Sequence, residues 1–174
     1  QDRPDVAKFL GRKGVDMLTK DQNGKTALAI ALNGRLKQTI RMLLDEYPTI
    51  WAPLDLSNEF RAAVTEFDLV SLHLFLDLMK AKKVPLNINS QNHQGDTVLH
   101  GICVSGQKHL QSCLGVVQKM LHVGADAGIQ NYHHRRTPIH VFLTASVAGV
   151  QSPAYHEIFQ SLLNASANIG AKDH

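Results

Sequence analysis

The chain has 174 residues, of which 44% are apolar, and its 18 Lys and Arg exceed its 15 Asp and Glu to give a net charge of +3. This apolar content excludes a disordered chain, and no apolar stretch approaches the about 18 to 20 residues of a membrane-spanning helix, so we expect no membrane insertion. The two cysteines allow at most one disulfide, which favours an intracellular location, cytoplasmic or nuclear.

A degenerate repeat is the main internal pattern. Three segments begin with a polar turn followed by a Thr and end on an apolar pair: 21–44, 92–121 and 132–163. A fourth segment, 58–92, keeps the alternation of helix, turn and helix but lacks the Thr at its entry. Because one helix pair cannot cover its own apolar side, the repeat predicts consecutive units that stack into one core.

The helix boundaries follow from capping residues. Thr26, Thr97 and Thr137 suit the start of a first helix, because a hydroxyl accepts from the free N–H groups there. Pro138 fits the first helical position, where no N–H partner is lost. A truncated helix at 6–10 precedes the first full unit, so we expect it to fray and the chain to be a piece of something longer.

The second helix of a unit carries apolar residues at helical spacing and is followed by small residues that favour a turn. We predict turns at the small residues Gly14, Gly124 and Ser166, where the chain can take the left-handed conformation that closes a helix. The expected apolar positions are Leu36, Ile40, Leu43 and Leu44 in one unit and Leu114, Val117 and Leu121 in another.

Thr137-Pro138-Ile139-His140 resembles the signature that opens the first helix of an ankyrin repeat, and 97–100 and 26–29 resemble it more loosely. The resemblance covers nearly the whole chain. It implies an all-α, ankyrin-like solenoid of helix pairs with short hairpin loops, in which His100 and His140 bond to neighbouring backbone. It implies a single domain, 1–174, with a partial unit at 1–20 and further units at about 21–53, 54–91, 92–131 and 132–174.

Two departures from the family pattern are visible. The third and fourth units are several residues longer than the family's spacing, so we expect insertions between or within their helices. Arg135 replaces the hairpin glycine found at Gly24 and Gly95, and Phe142 stands where the family prefers alanine.

The resemblance places hairpin tips just ahead of each Thr, projecting away from the helices. Exposed loops on a rigid scaffold are where binding residues accumulate. The predicted partner-binding residues are Gln22, Asn23 and Lys25 in the first unit, His93, Gln94 and Asp96 in the third, and Tyr132, His133, His134, Arg135 and Arg136 in the fourth.

Other chemistry is weakly supported. No Cys or His stands beside His133 and His134 at the spacing of a zinc site, so we predict no metal and no cofactor. Cys103 follows His100 by one helical turn, as in a cysteine hydrolase, but we expect a buried, inert thiol and no enzyme activity. Cys113 is expected to be half-exposed, and Trp51 to be either a core plug or an anchor for a partner.

These features favour a protein-protein interaction module that binds a partner protein through its hairpin tips and concave surface. The basic fourth tip predicts an acidic or phosphorylated patch on that partner. Nucleic acid is not favoured, because the rest of the sequence lacks a basic stripe. The alternative is a substrate-recruiting fragment of a larger enzyme whose catalytic domain lies outside this chain.

Overall fold

The computed structural model describes residues 2–34, 36–47, 50, 56–81, 86–145 and 152–170, without the side chains of 33, 37, 44 and 167–170. Within these ranges all regular secondary structure is helical, which confirms the all-α prediction. No helix there is long and apolar enough to cross a membrane. Trp51 and the side chain of Leu44 lie outside the described residues, so their predictions stay open.

The helices alternate between first and second members of a pair. In chain order they are α1 (Pro4–Arg12), α2 (Ala27–Asn33), α3 (Lys37–Glu46), α4 (Ser57–Thr65), α5 (Leu69–Lys80), α6 (Val98–Ser105), α7 (Leu110–His122), α8 (Pro138–Ala145) and α9 (Pro153–Gly170). A short 3-10 helix, Gly106–His109, links α6 to α7 and accounts for part of the extra length of the third unit. The segment between α8 and α9, 146–151, lies outside the described residues.

The helices stack in two layers around one apolar core. In the layer of first helices α4 packs on α6 and α6 on α8, whereas α1 packs on α3, α5 on α7 and α7 on α9 in the other layer. Side chains from both layers form a single cluster that runs through successive units. Among its fully buried members are Leu28, Leu43, Leu72, Leu99, Ile102, Val117, Phe142 and Ile158. The predicted stacking of successive helix pairs is therefore confirmed.

Local chemistry sets the helix starts as predicted. The Thr26 hydroxyl accepts from the N–H of Ala29 at 3.3 Å, and α8 begins at Pro138. The degenerate second unit uses another device at its second helix, where the Asp68 carboxylate accepts from the N–H of Val70 and from the Ser71 hydroxyl. A carboxylate at this position stabilises the free N–H groups of a helix start.

The predicted turns are correct at two of the three positions. Gly14 and Gly124 have φ values of 82° and 96°, the left-handed conformation that glycine adopts without a steric penalty. The turn predicted at Ser166 is wrong, because this residue lies inside α9. Its hydroxyl donates to the carbonyl of Leu162 one turn earlier. The helix continues through this serine, whereas a glycine in the left-handed conformation would have ended it.

Cys113 is buried, and its predicted half-exposure is wrong. The side chain is only 1% exposed and its thiol lies 3.8 Å from the carbonyl oxygen of Ile102. The 3-10 turn brings the start of α7 back against α6, so closely that a Cβ on Gly106 would lie within contact of the Cys113 sulfur. Burial raises the pKa of Cys113 to about 12 and that of Cys103 well above its usual value.

We expect both thiols to resist alkylation in the folded protein, because a buried, protonated thiol is a poor nucleophile. Iodoacetamide at about pH 8 should leave native protein unmodified by mass spectrometry and should modify both cysteines of denatured protein. Rapid labelling of either thiol under native conditions would contradict the burial.

Candidate functional site

The hairpins ahead of the first helices are each organised by one Asp or Asn. The side-chain oxygens of Asp21, Asn92 and Asn131 each accept from two backbone N–H groups of their own hairpin at 2.8 to 3.3 Å. In the first hairpin the donors are Lys25 and Asn23, and the bond from Lys25 lowers the pKa of Asp21. Sequence reasoning missed this role, although an Asp or Asn stands at the same distance ahead of the Thr in two of the units.

The fourth hairpin departs from the other two. It is closed between Asn131 and Arg136, one residue longer than the first hairpin, Asp21 to Lys25. Arg135, which replaces the hairpin glycine in the sequence, has a φ of 50°, so it takes the left-handed place that Gly24 and Gly95 occupy. A residue other than glycine is strained in this conformation, so contacts with neighbouring residues have to hold Arg135 in it.

The fourth hairpin rests on the third. The N–H of Tyr132 donates to the carbonyl of Gln94 at 3.0 Å, and the Asn131 amide donates to the Asp96 carboxylate at 3.0 Å. Tyr132 also lies directly over Gly95, where an added Cβ would come within 2.5 Å of the Tyr132 backbone nitrogen. These contacts hold two of the predicted binding tips as one rigid surface.

The predicted binding residues are accessible in all three hairpins. Asp96 is half-buried, in keeping with its bond to Asn131. The exposed residues are Gln22, Asn23, Lys25, His93, Gln94, Tyr132, His133, His134, Arg135 and Arg136. The exposed side of the first helices adds three apolar side chains, Ile30, Val104 and Leu143. Hydrogen bonds join the third and fourth hairpins, but among the described residues none joins the first hairpin to them.

The fourth tip is cationic. Tyr132 is 64% exposed, and the described residues include no carboxylate paired with Arg135 or Arg136. The Arg135 guanidinium donates instead to the neutral side chain of Gln130 at 3.2 Å. The rings of His133 and His134 are 6.5 Å apart, and the described residues contain no group of three metal-binding side chains.

His100 ties the fourth hairpin to the core. Its Nδ1 accepts from the N–H of Thr97 at 3.1 Å, so its Nε2 carries the proton that is donated to the Arg136 carbonyl at 3.0 Å. Burial lowers the pKa of His100, which keeps the ring neutral in this arrangement. His140 repeats the first of these contacts with Thr137, so the structural role predicted for both histidines is confirmed.

Because both ring nitrogens of His100 are occupied and the Cys103 thiol stays protonated, the two residues lack the free base and the thiolate of a cysteine hydrolase.

Arg61 stands in the second unit where His100 stands in the third. Phe60 and Ala63 are buried in the first helix α4 as Leu99 and Ile102 are in α6, which sets the two helices in register. Arg61 Nη1 donates to the carbonyl of the residue before Thr97 at 3.2 Å, as His100 donates to the residue before Thr137. Sequence reasoning missed Arg61, because the second unit has no Thr from which to count.

Two clefts of different character flank α4. One, of about 320 Å³, has three carboxylates in its wall, those of Glu59, Glu66 and Asp68. Glu59 Oε2 is buried there and accepts no hydrogen bond within the described residues. The other cleft, of about 550 Å³, has no carboxylate among the described residues of its wall. It is lined by Ser57, Asn58, Arg61, Ser90, Gln91, Asn92 and His93.

The fold is that of an ankyrin-repeat domain. An ankyrin repeat domain from Acinetobacter baumannii aligns with a TM-score of 0.53 over 94% of this chain and 93% of that chain, at 19% identity. A chain from the complex of a predatory endopeptidase with an immunity protein from Bdellovibrio bacteriovorus aligns with a TM-score of 0.54. That match covers 92% of this chain and 74% of the other, also at 19% identity. No protein-family model matches the sequence, and no curated protein matches it significantly.

We expect Gly95→Ala to destabilise the protein more than Gly24→Ala. Both glycines have positive φ, at 81° and 75°, so an alanine is strained by about 1 to 2 kcal/mol at either position. Gly95 lies against the fourth hairpin, whereas no atom of the described residues lies within 4 Å of a Cβ on Gly24. Urea denaturation of the two variants should show a larger loss for Gly95→Ala, and equal losses would mean that the third and fourth hairpins are not in contact.

We also expect His100 to make folding stability depend on pH. Its folded pKa is lowered from the ordinary value of 6.5, so the unfolded chain binds the proton more readily. The contribution of the neutral ring is therefore present above pH 6.5 and is lost as the pH falls from there through the lowered pKa. Thermal denaturation across this range should show a shallower pH dependence for His100→Gln than for wild type. The exposed-site control, His93→Gln, should follow wild type, and identical profiles for all three proteins would contradict the assignment.

Proposed function

We propose that the chain is a protein-protein interaction module that binds an acidic or phosphorylated segment of a partner through its hairpin tips and the concave surface of its first helices. The proposal depends mainly on the fourth tip, because this tip combines an exposed Tyr132 with Arg135 and Arg136. The charges of the two arginines are not neutralised by described carboxylates. Aromatic and guanidinium groups contribute a large share of interface energy.

The rigidity of the tip supports binding. The bonds from Gln94 and Asp96 to the fourth hairpin, and from His100 to its base, order the tip before a partner arrives. A preformed surface loses less conformational entropy on binding than a flexible loop does. One of the similar structures is a chain from a complex of two proteins, which is in keeping with a protein partner.

We expect the tip arginines to dominate partner affinity. A partner captured from lysate by the immobilised protein and identified by mass spectrometry should be measured by calorimetry against Arg135→Ala/Arg136→Ala. The double variant should bind at least about tenfold more weakly, since hot-spot residues each contribute more than about 1 kcal/mol. Higher salt should weaken wild-type binding as well, because the attraction between exposed charges is screened.

The matched control is Arg41→Ala/Lys80→Ala, which removes the same charge from exposed positions on α3 and α5. It should leave the affinity within about twofold of wild type. A loss of less than about 1 kcal/mol in the tip variant, or equal losses in both variants, would disprove the proposed role of the tip.

A further inference from the structure

The cleft of about 550 Å³ between α4 and the third hairpin has a single guanidinium in a wall of hydroxyl and amide groups. Arg61 is half-buried there, and His93 is the other lining residue that can carry positive charge. Among the described residues, the acidic residue that is hydrogen-bonded to Arg61 is Asp96, which offers its backbone carbonyl while its carboxylate accepts from Asn131. The described lining residues therefore do not neutralise the positive charge in the cleft.

The guanidinium of Arg61 has N–H groups that donate to no acceptor within the described residues. Of its five N–H groups, one of the two on Nη1 donates to the Asp96 carbonyl, and Nη2 donates to the carbonyl and the hydroxyl of Ser90 at 2.6 and 3.1 Å. Nε and the second N–H of Nη1 have no acceptor within the described residues. All three acceptors are uncharged groups, so they leave the cationic charge available to a ligand.

The structural role of this position does not require a cation. In the third unit the neutral ring of His100 makes the equivalent bond to the following hairpin. Arg61 makes that bond and in addition brings a permanent charge and unused donors into an open cleft. A guanidinium forms charge-assisted hydrogen bonds with carboxylate and phosphate oxygens, and the unused Nε–H and Nη1–H of Arg61 each offer one such bond to an anion.

We propose that this cleft binds an anionic side chain, a carboxylate or a phosphate, of the partner, with Arg61 as the principal contact and His93 at its edge. This inference rests on the proposed protein-binding function and adds a second anion site, separate from the fourth tip. The cleft volume falls within the range of ordinary ligand pockets, so one such side chain fits.

The test uses three blocked tripeptides with Gly on either side of a central phosphoserine, Glu or Ser. Heteronuclear NMR of the whole chain follows the Arg61 Nε–H signal and the amides of Ser90 and His93 during each titration. The two anionic peptides should cause saturable shifts of these signals, and the neutral Ser peptide should not. Shifts that do not saturate, or that are equal for the neutral peptide, would overturn the proposal.

The decisive variant is Arg61→His, which removes the guanidinium but keeps a side chain that makes the hairpin bond at the equivalent position, as His100 does. It should fold with a lower melting temperature, because the bonds to Ser90 are lost, and it should bind the anionic peptides at least about tenfold more weakly. The matched control is Arg41→His, on the exposed side of α3, and it should bind as wild type does. Undiminished binding by Arg61→His would disprove the cleft site.

A second substitution at Arg61 tests the cleft if the first one does not fold. If Arg61→His is unfolded, Arg61→Lys serves instead. It should weaken binding because a single ammonium group cannot keep the hairpin bonds and also present the fixed, separate N–H groups of a guanidinium to an anion. Equal binding by Arg61→Lys would then overturn the proposal.

The tip variant Arg135→Ala/Arg136→Ala should keep the Arg61 response to the peptides. If the response is lost in that variant and kept in Arg61→His, the anion site is the fourth tip, and the cleft inference fails while the proposed function stands. If the tip variant keeps full partner affinity while Arg61→His loses the peptides, the tip proposal fails and the cleft stands.

Discussion

The positions of the hairpins depend on side chains that reach from one unit to the next. His100 bonds to the carbonyl of Arg136, and Arg61 bonds to the carbonyl of Asp96, in each case at the base of the following hairpin. Each bond contributes about 1 kcal/mol, but a partly buried carbonyl left without a donor costs more than that. These contacts fix each of the two hairpins relative to the first helix of the preceding unit, so the spacing of the helices also sets the spacing of the surface that we propose binds the partner.

The same pair of residues shows how one position in a repeat serves two purposes. His100 is almost fully buried and neutral, so it contributes a directional bond and no charge. Arg61 lies at an open cleft and makes the equivalent bond with a cation. The scaffold tolerates the exchange because each side chain reaches the equivalent carbonyl of the following hairpin, while the charge offered to a ligand changes from none to one positive charge.

Departures in length from the regular repeat lie in the third and fourth units. The 3-10 turn after α6 buries Cys113, and the longer fourth hairpin places Arg135 in the left-handed conformation. Gly95 has no side chain at the point where Tyr132 crosses it, which lets the two hairpins lie in contact. The surface that we propose binds the partner is thus built where the units are longer than usual, on a core that remains continuous through successive units.

The sequence by itself was sufficient for the helix pairs, the cap at Thr26 and the helix start at Pro138, because capping and helical periodicity depend on residues within about one or two turns. The exposed positions of the hairpin tips followed from the resemblance to ankyrin repeats. The turn predicted at Ser166 was wrong, because a local pattern without glycine does not force a helix to end. The burial of Cys113, the contact of Tyr132 with Gly95 and the partners of Arg61 were decided only by the tertiary structure. These contacts join residues that are distant in the chain, 35 positions apart for Arg61 and Asp96, and no local pattern records which carbonyl a long side chain will reach.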